Sequence, residues 1–203
     1  MSLKSSVRLA CYSALEKAGF DRFLKEGVDW PMVNGFHCWV GLNTAISSGH
    51  VEIVPFVGLH VVPLEKLAAQ LKGKRYVRGI ATFALPMGDL EGAYEQRPFV
   101  FTASQSDEFI ADEAGRLASL YASVGLSFAQ SIASYDKLLP LLEMRIGMLG
   151  GYPESYACCL RLMAQEGEAV AFVEDFVRQE PEYFGTFAAT FLATRPVKCG
   201  DEG

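Results

Sequence analysis

Histidine is scarce in this chain. Only three occur in 203 residues, His37, His50 and His60, and all lie in the stretch FHCWVGLNTAISSGHVEIVPFVGLH, residues 36–60. The five cysteines, Cys11, Cys38, Cys158, Cys159 and Cys199, form no Cys-x-x-Cys pair. That excludes the usual zinc frameworks, and an odd, scattered set fits a reducing compartment better than a disulfide scaffold. On a helix the adjacent Cys158 and Cys159 point about 100° apart, which makes them two small core residues and not a bridge. Long apolar runs are also missing: FGTFAATFLA is about half the ~20 residues that a membrane span needs. The early segment KSSVRLACYSALEKAGF is broken by Arg8, Glu16 and Lys17, so it does not read as a signal peptide. The terminal MSL and the last two residues are left out of the fold reading.

Basic residues thin out along the chain. Residues 1–100 carry 11 Lys and Arg against 9 Asp and Glu, and residues 101–203 carry 7 against 15, so the net charge of −6 is strongly uneven. An acidic second half argues against nucleic acid, whose phosphates need a basic footprint. The one basic cluster, KGKRYVR at residues 72–78, reads as a solvated turn leading into a strand. A soluble, cytoplasmic protein is expected, with no membrane or nucleic-acid partner, no cofactor and no bound metal.

What is present is a change of hydrophobic period. Val7, Ala10, Cys11, Ala14, Leu15 and Ala18 recur at helical spacing and Gly19 follows as a stop. Residues 36–46 then alternate, with Phe36, Cys38, Val40, Leu42 and Ile46 on one face and His37, Trp39, Gly41 and Asn43 on the other. Residues 51–62 alternate too, and the intervening Ser-Ser-Gly predicts a β-hairpin. PLEKLAAQLKG predicts a short helix from Pro63 to Gly73. Residues 75–85 and 97–103 read as a third and a fourth strand. From residue 104 the period becomes 3.6: Ser104 and Asp107 suggest a cap, Gly125 a stop, and further helices are expected at 135–148, 154–165 and 168–193, the last interrupted at Pro181. Strands first and helices second is the α+β pattern. The expectation is a single α+β domain over residues 4–199, with an antiparallel sheet of about four strands in 4–103 and helices in 104–194. Its core would include Phe36, Val40, Leu42, Ile53, Val57, Leu59, Phe83, Phe101, Leu117 and Leu120.

The order of segments carries a resemblance. A helix ends in AGF, a hairpin closes on VGLHVVPLEKL, a strand FVFTA feeds an acidic helix, and VGLSFAQSIASYDKLLPLLE follows. Over about residues 5–145 this resembles an uncharacterised bacterial α+β domain family of unknown function. The resemblance implies a small sheet packed with helices and no established activity, and no site residue carries over.

Pairing the two apolar faces of the hairpin fixes its register, because a slip of one residue would turn every side chain over. Ile46 then faces Val51, and His37 faces His60 on the other surface beside Trp39. His50 lies in the turn, roughly 33 Å from His60 along a straight strand, which excludes a three-histidine metal site. A His37–His60 pair is left, with no evident carboxylate beside it, and Cys38 points to the opposite face. Gly125-Leu-Ser127-Phe-Ala129 follows a helix and is one residue short of a nucleophile elbow. GMLGGYPES lacks the Lys-Ser/Thr of a phosphate loop. Glu108, Asp112 and Glu113 have no Glu-x-x-His beside them and read as a helix start. The ligand-binding candidates are therefore His37, Trp39 and His60, with no catalytic residue assigned. Two functions stay open: a non-catalytic binding or regulatory protein, of an immunity or inhibitor type, that meets a protein partner through its acidic helical half as a monomer or homodimer; and a small hydrolase or transferase with its site near His37 and His60. A pocket holding either histidine beside a carboxylate would favour the second.

Overall fold

The alternating segments form the longest strand pair of an antiparallel sheet in the computed structural model, which describes residues 2–47, 49–93, 97–148 and 151–194. The sheet has six strands: β1 (Asp21–Leu24), β2 (Gly27–Pro31), β3 (Phe36–Ser47), β4 (His50–Val61), β5 (Phe83–Pro86) and β6 (Phe99–Thr102). They run β1-β2-β3-β4, and both β5 and β6 pair with β4. The fold is α+β, with two more strands than the four expected. The extra pair is β1–β2. These strands are four and five residues long, and Asp21, Arg22, Lys25, Glu26 and Asp29 hide their alternation. The expected strand at 75–85 begins only at Phe83.

By the density of internal contacts the chain divides into two compact units. One is built on residues up to 61 with 79–133, the other on 62–78 with residues from 134 onward. In the first unit the pairing is the expected one, Ile46 with Val51 through His37 with His60. Its apolar face is covered by α1 (Leu3–Lys17), α3 (Asp107–Leu120) and α4 (Leu126–Ser131); α2 belongs to the second unit. All ten expected core residues are buried, whereas Ile46, at the free end of the hairpin, is 63% exposed.

Two details of this unit depart from the sequence reading. Gly125 does not stop a helix: α3 runs through a π-helical turn, Tyr121–Gly125, into α4. A Cβ at Gly125 would lie 3.0 Å from Met87 and 3.4 Å from Val57, so glycine here allows close packing. The turn also buries Tyr121 completely, and its hydroxyl reaches Gly41 O at 2.8 Å and Phe56 O at 2.9 Å. The cap of α3 is Ser106, accepting from Phe109 N, and not Ser104. Pro55 sits inside β4, where a proline would remove a ladder donor. It faces Leu42 of β3, and on the other edge of β4 it lies in the gap between β5, whose pairing begins at Phe56, and β6, whose pairing ends at Ile53.

The second unit is helical: α2 (Val62–Leu71), α5 (Tyr135–Glu143), α6 (Pro153–Leu162), α7 (Glu166–Gln179) and α8 (Pro181–Ala193). Its aromatic ridge runs Phe172, Phe176, Phe184, Phe187, Phe191, with neighbouring ring centroids 4.8–5.6 Å apart. The sequence spacing Tyr183, Phe187, Phe191, each four apart, would place Tyr183 in that ridge. Pro181 starts a new helix and resets the phase, so Phe184, Phe187 and Phe191 turn inward and Tyr183 is 56% exposed. No helix among the described residues is long and apolar enough to cross a membrane.

Candidate functional site

The second face of the first unit's sheet carries the candidate residues. Successive side chains of a strand alternate, so His37, Trp39 and Gly41 share this face with Asp29, which pairs with Trp39, and with His60 and Gly58 of β4. The rings of His37 and His60 lie 6.0 Å apart at 73°, while His50 pairs with Ser47 at the far end of the hairpin. Gly58 is required here, because a Cβ would sit 1.8 Å from Phe83 O. Just before Thr82 the chain crosses this face. Trp39 Nε1 donates to Gly79 O at 3.0 Å, and His60 Nδ1 lies 2.7 Å from Ile80 O.

The histidines therefore differ in role. His60 is wholly buried, and with its proton on Nδ1 it ties the crossing segment to β4. His37 does have a carboxylate neighbour: Asp29 Oδ1 lies 3.3 Å from its Nδ1, off the line of a hydrogen bond, and Asp29 is 1% exposed. The sequence reading missed this carboxylate because it missed β2. Cys38 points into the core towards Gly125 O, and burial pushes its thiol up to about 12. It is neither beside His37 nor a nucleophile at neutral pH.

Trp39 opens onto a cleft of about 190 Å3, whose other lining includes Arg8, Tyr12, Phe23, Glu26 and Asn43. It forms where β2 parts from β3, since their ladder ends at the Asp29–Trp39 pair. The indole lies across Gly41, where a Cβ would come within 2.4 Å of the ring. Arg8 of α1 donates to Leu42 O at 2.7 Å, Thr44 Oγ1 at 2.9 Å, Tyr12 Oη at 3.2 Å and, through Nε, Glu26 Oε2 at 3.1 Å, and its Nη2 lies 3.0 Å from that oxygen in an ion pair. Burial raises the Tyr12 pKa, against the lowering effect of Arg8. Apart from Trp39 and Asn43, none of these residues stood out in the sequence. Arg8 and Tyr12 at helical spacing i, i+4 are the one local signal, and nothing in it points to a cleft.

Other sequence features prove structural. Glu113 is buried between Arg97 and Arg116, and Arg116 lies 3.8 Å from the centroid of Phe99, so Glu113 is an ion-pair centre and not part of a helix start. In the basic cluster Lys72 pairs with Glu154 at 3.1 Å. Among the described residues no group of three or more His, Cys, Asp or Glu side chains is placed to hold a metal ion. No protein-family model matches the chain, and no curated protein or solved structure matches it either.

Proposed function

We propose that this protein is a non-catalytic binding protein of a regulatory kind, whose ligand occupies the Trp39 cleft. The observation that carries this reading is the cleft itself: a partly exposed indole and two more aromatic residues beside polar groups, brought together by α1, β1 and β3. Concave sites with aromatic walls and a few fixed polar groups are the usual form of a small-ligand site. The second unit offers a separate surface. α7, α8 and the residue between them carry Glu166, Glu168, Glu174, Asp175, Glu180 and Glu182 against the single cation Arg178, and the exposed Tyr183 supplies an aromatic anchor for a basic protein partner.

The hydrolase or transferase reading draws on the His37–Asp29 contact, since a buried carboxylate can orient an imidazole base. Against it, His37 exposes 14% of its side chain and His60 none. The two readings separate in one experiment. A panel of small cations, anions, sugars and heterocycles is titrated against tryptophan fluorescence, and ester and phosphoester turnover is followed in parallel. Binding lost in Trp39→Ala with no turnover supports the binding reading. Turnover lost in His37→Ala supports the catalytic one.

A further inference from the structure

The geometry points to an organic cation with a compact head, such as a quaternary ammonium, as the ligand of the Trp39 cleft; this rests on the binding reading above. The first step is an exclusion. A guanidinium has five N–H donors, and each nitrogen of Arg8 is engaged: Nε on Glu26, Nη1 on Leu42 O and Thr44 Oγ1, and Nη2 on Tyr12, with Nη2 also 3.0 Å from Glu26 Oε2 in an ion pair. A carboxylate or phosphate entering the cleft would find this guanidinium committed to the protein and would meet Glu26, the more exposed member of the pair at 50% against 16% for Arg8. The cation that lines the cleft is already spent on the protein.

The remaining polar character is of the opposite kind. Both contacts from Arg8 fall on Glu26 Oε2, which leaves Oε1 without a protein partner among the described residues. Glu26 is half exposed, so this oxygen is open to a ligand. Trp39 spends its one donor on Gly79 O, so its indole has only the π system to offer. Two of its ring carbons are seated beside Gly41, and the indole lines the cleft together with Tyr12 and Phe23. The face of an aromatic ring is its negative pole, and indole binds cations best. An exposed acceptor oxygen and aromatic walls around about 190 Å3 thus suit a small positive head better than an anion. Arg8 and Glu26 form a direct pair with no net charge, and what favours a cation is that the carboxylate is its exposed side, 50% against 16%.

Choline is the probe, compared with its neutral isostere, in which a quaternary carbon replaces the nitrogen, and with acetate. Affinities come from calorimetry, and from fluorescence in a Trp30→Phe background that leaves Trp39 as the only indole. Choline should bind in the roughly millimolar range proper to so small a ligand and about tenfold more tightly than the isostere. Glu26→Gln should weaken choline about two- to fivefold and leave the isostere unchanged, and Trp39→Phe should narrow the gap between the two. Circular dichroism melting checks that each variant is folded. Equal binding of choline and isostere at Trp39, or a preference for acetate, overturns the cation assignment and leaves the cleft as a binding site. If choline and the whole panel leave Trp39 fluorescence and the calorimetric baseline unchanged, the cleft reading falls with it.

Discussion

Gly41→Ala tests the site through one methyl group. The new Cβ would lie 2.4 and 2.5 Å from two ring carbons of Trp39 and 3.1 Å from Phe56 Cβ. Carbon atoms rest at about 3.5–4.0 Å, so the indole must withdraw by about 1 Å. Gly41 has an ordinary strand partner in Phe56, so the backbone itself has no need to move. A shift of that size stretches the 3.0 Å bond from Trp39 Nε1 to Gly79 O beyond hydrogen-bond range. Overpacking costs typically about 1–3 kcal/mol and the lost bond about 1 kcal/mol, with the lower end expected because a side chain can yield. Urea unfolding should therefore show a loss of about 1–3 kcal/mol. Trp39 should become more accessible to acrylamide, and ligand binding in the cleft should weaken. A variant with parental stability, parental quenching and parental binding would refute the claim that Gly41 seats the indole.

Other perturbations follow from the same structure. Tyr121→Phe removes the hydroxyl shared by Gly41 O and Phe56 O and should cost about 1–3 kcal/mol in chemical denaturation; an unchanged midpoint would deny the bond its role. Phe187→Ala opens the middle of the ridge and should cost about 3–5 kcal/mol at every protein concentration; a melting temperature that depends on concentration in the parent would instead place the ridge in a dimer. Burial raises the thiols of Cys11, Cys38 and Cys159 from 9.0 to about 12. Between those values the folded chain holds more protons than the unfolded one, so stability should fall as pH rises from 9 towards 12. Mass-spectrometric mapping after iodoacetamide treatment at pH 8 should find these thiols unmodified until the chain unfolds; rapid labelling of Cys38 would contradict its burial.

The hairpin was legible because its two apolar faces fit together in one register only, and that register put His37 beside His60. The core was legible for the same reason. Pattern failed where tertiary context decides. β1 and β2 alternate too briefly among charges to be seen, so Asp29 could not be placed next to His37. Gly125 and Pro181 are both helix breakers by composition, yet one admits close packing within a continuing helix and the other resets the phase of the aromatic ridge. The cleft was out of reach altogether. It depends on where β2 leaves β3 and on Arg8 and Glu26 meeting from separate elements, and no local spacing records either.

The most direct test is a two-dimensional amide spectrum of the protein with and without ligand. The chain has two tryptophans, so two indole N–H signals are expected, from Trp30 and Trp39. Titration with choline, and separately with the strongest quencher from the panel, should move the Trp39 indole signal and the amides of Gly41 and Gly79, and leave the Trp30 indole in place. Shifts confined to the helical unit, or a Trp39 signal that stays fixed while ligand binds, would contradict the assignment of the cleft as the binding site.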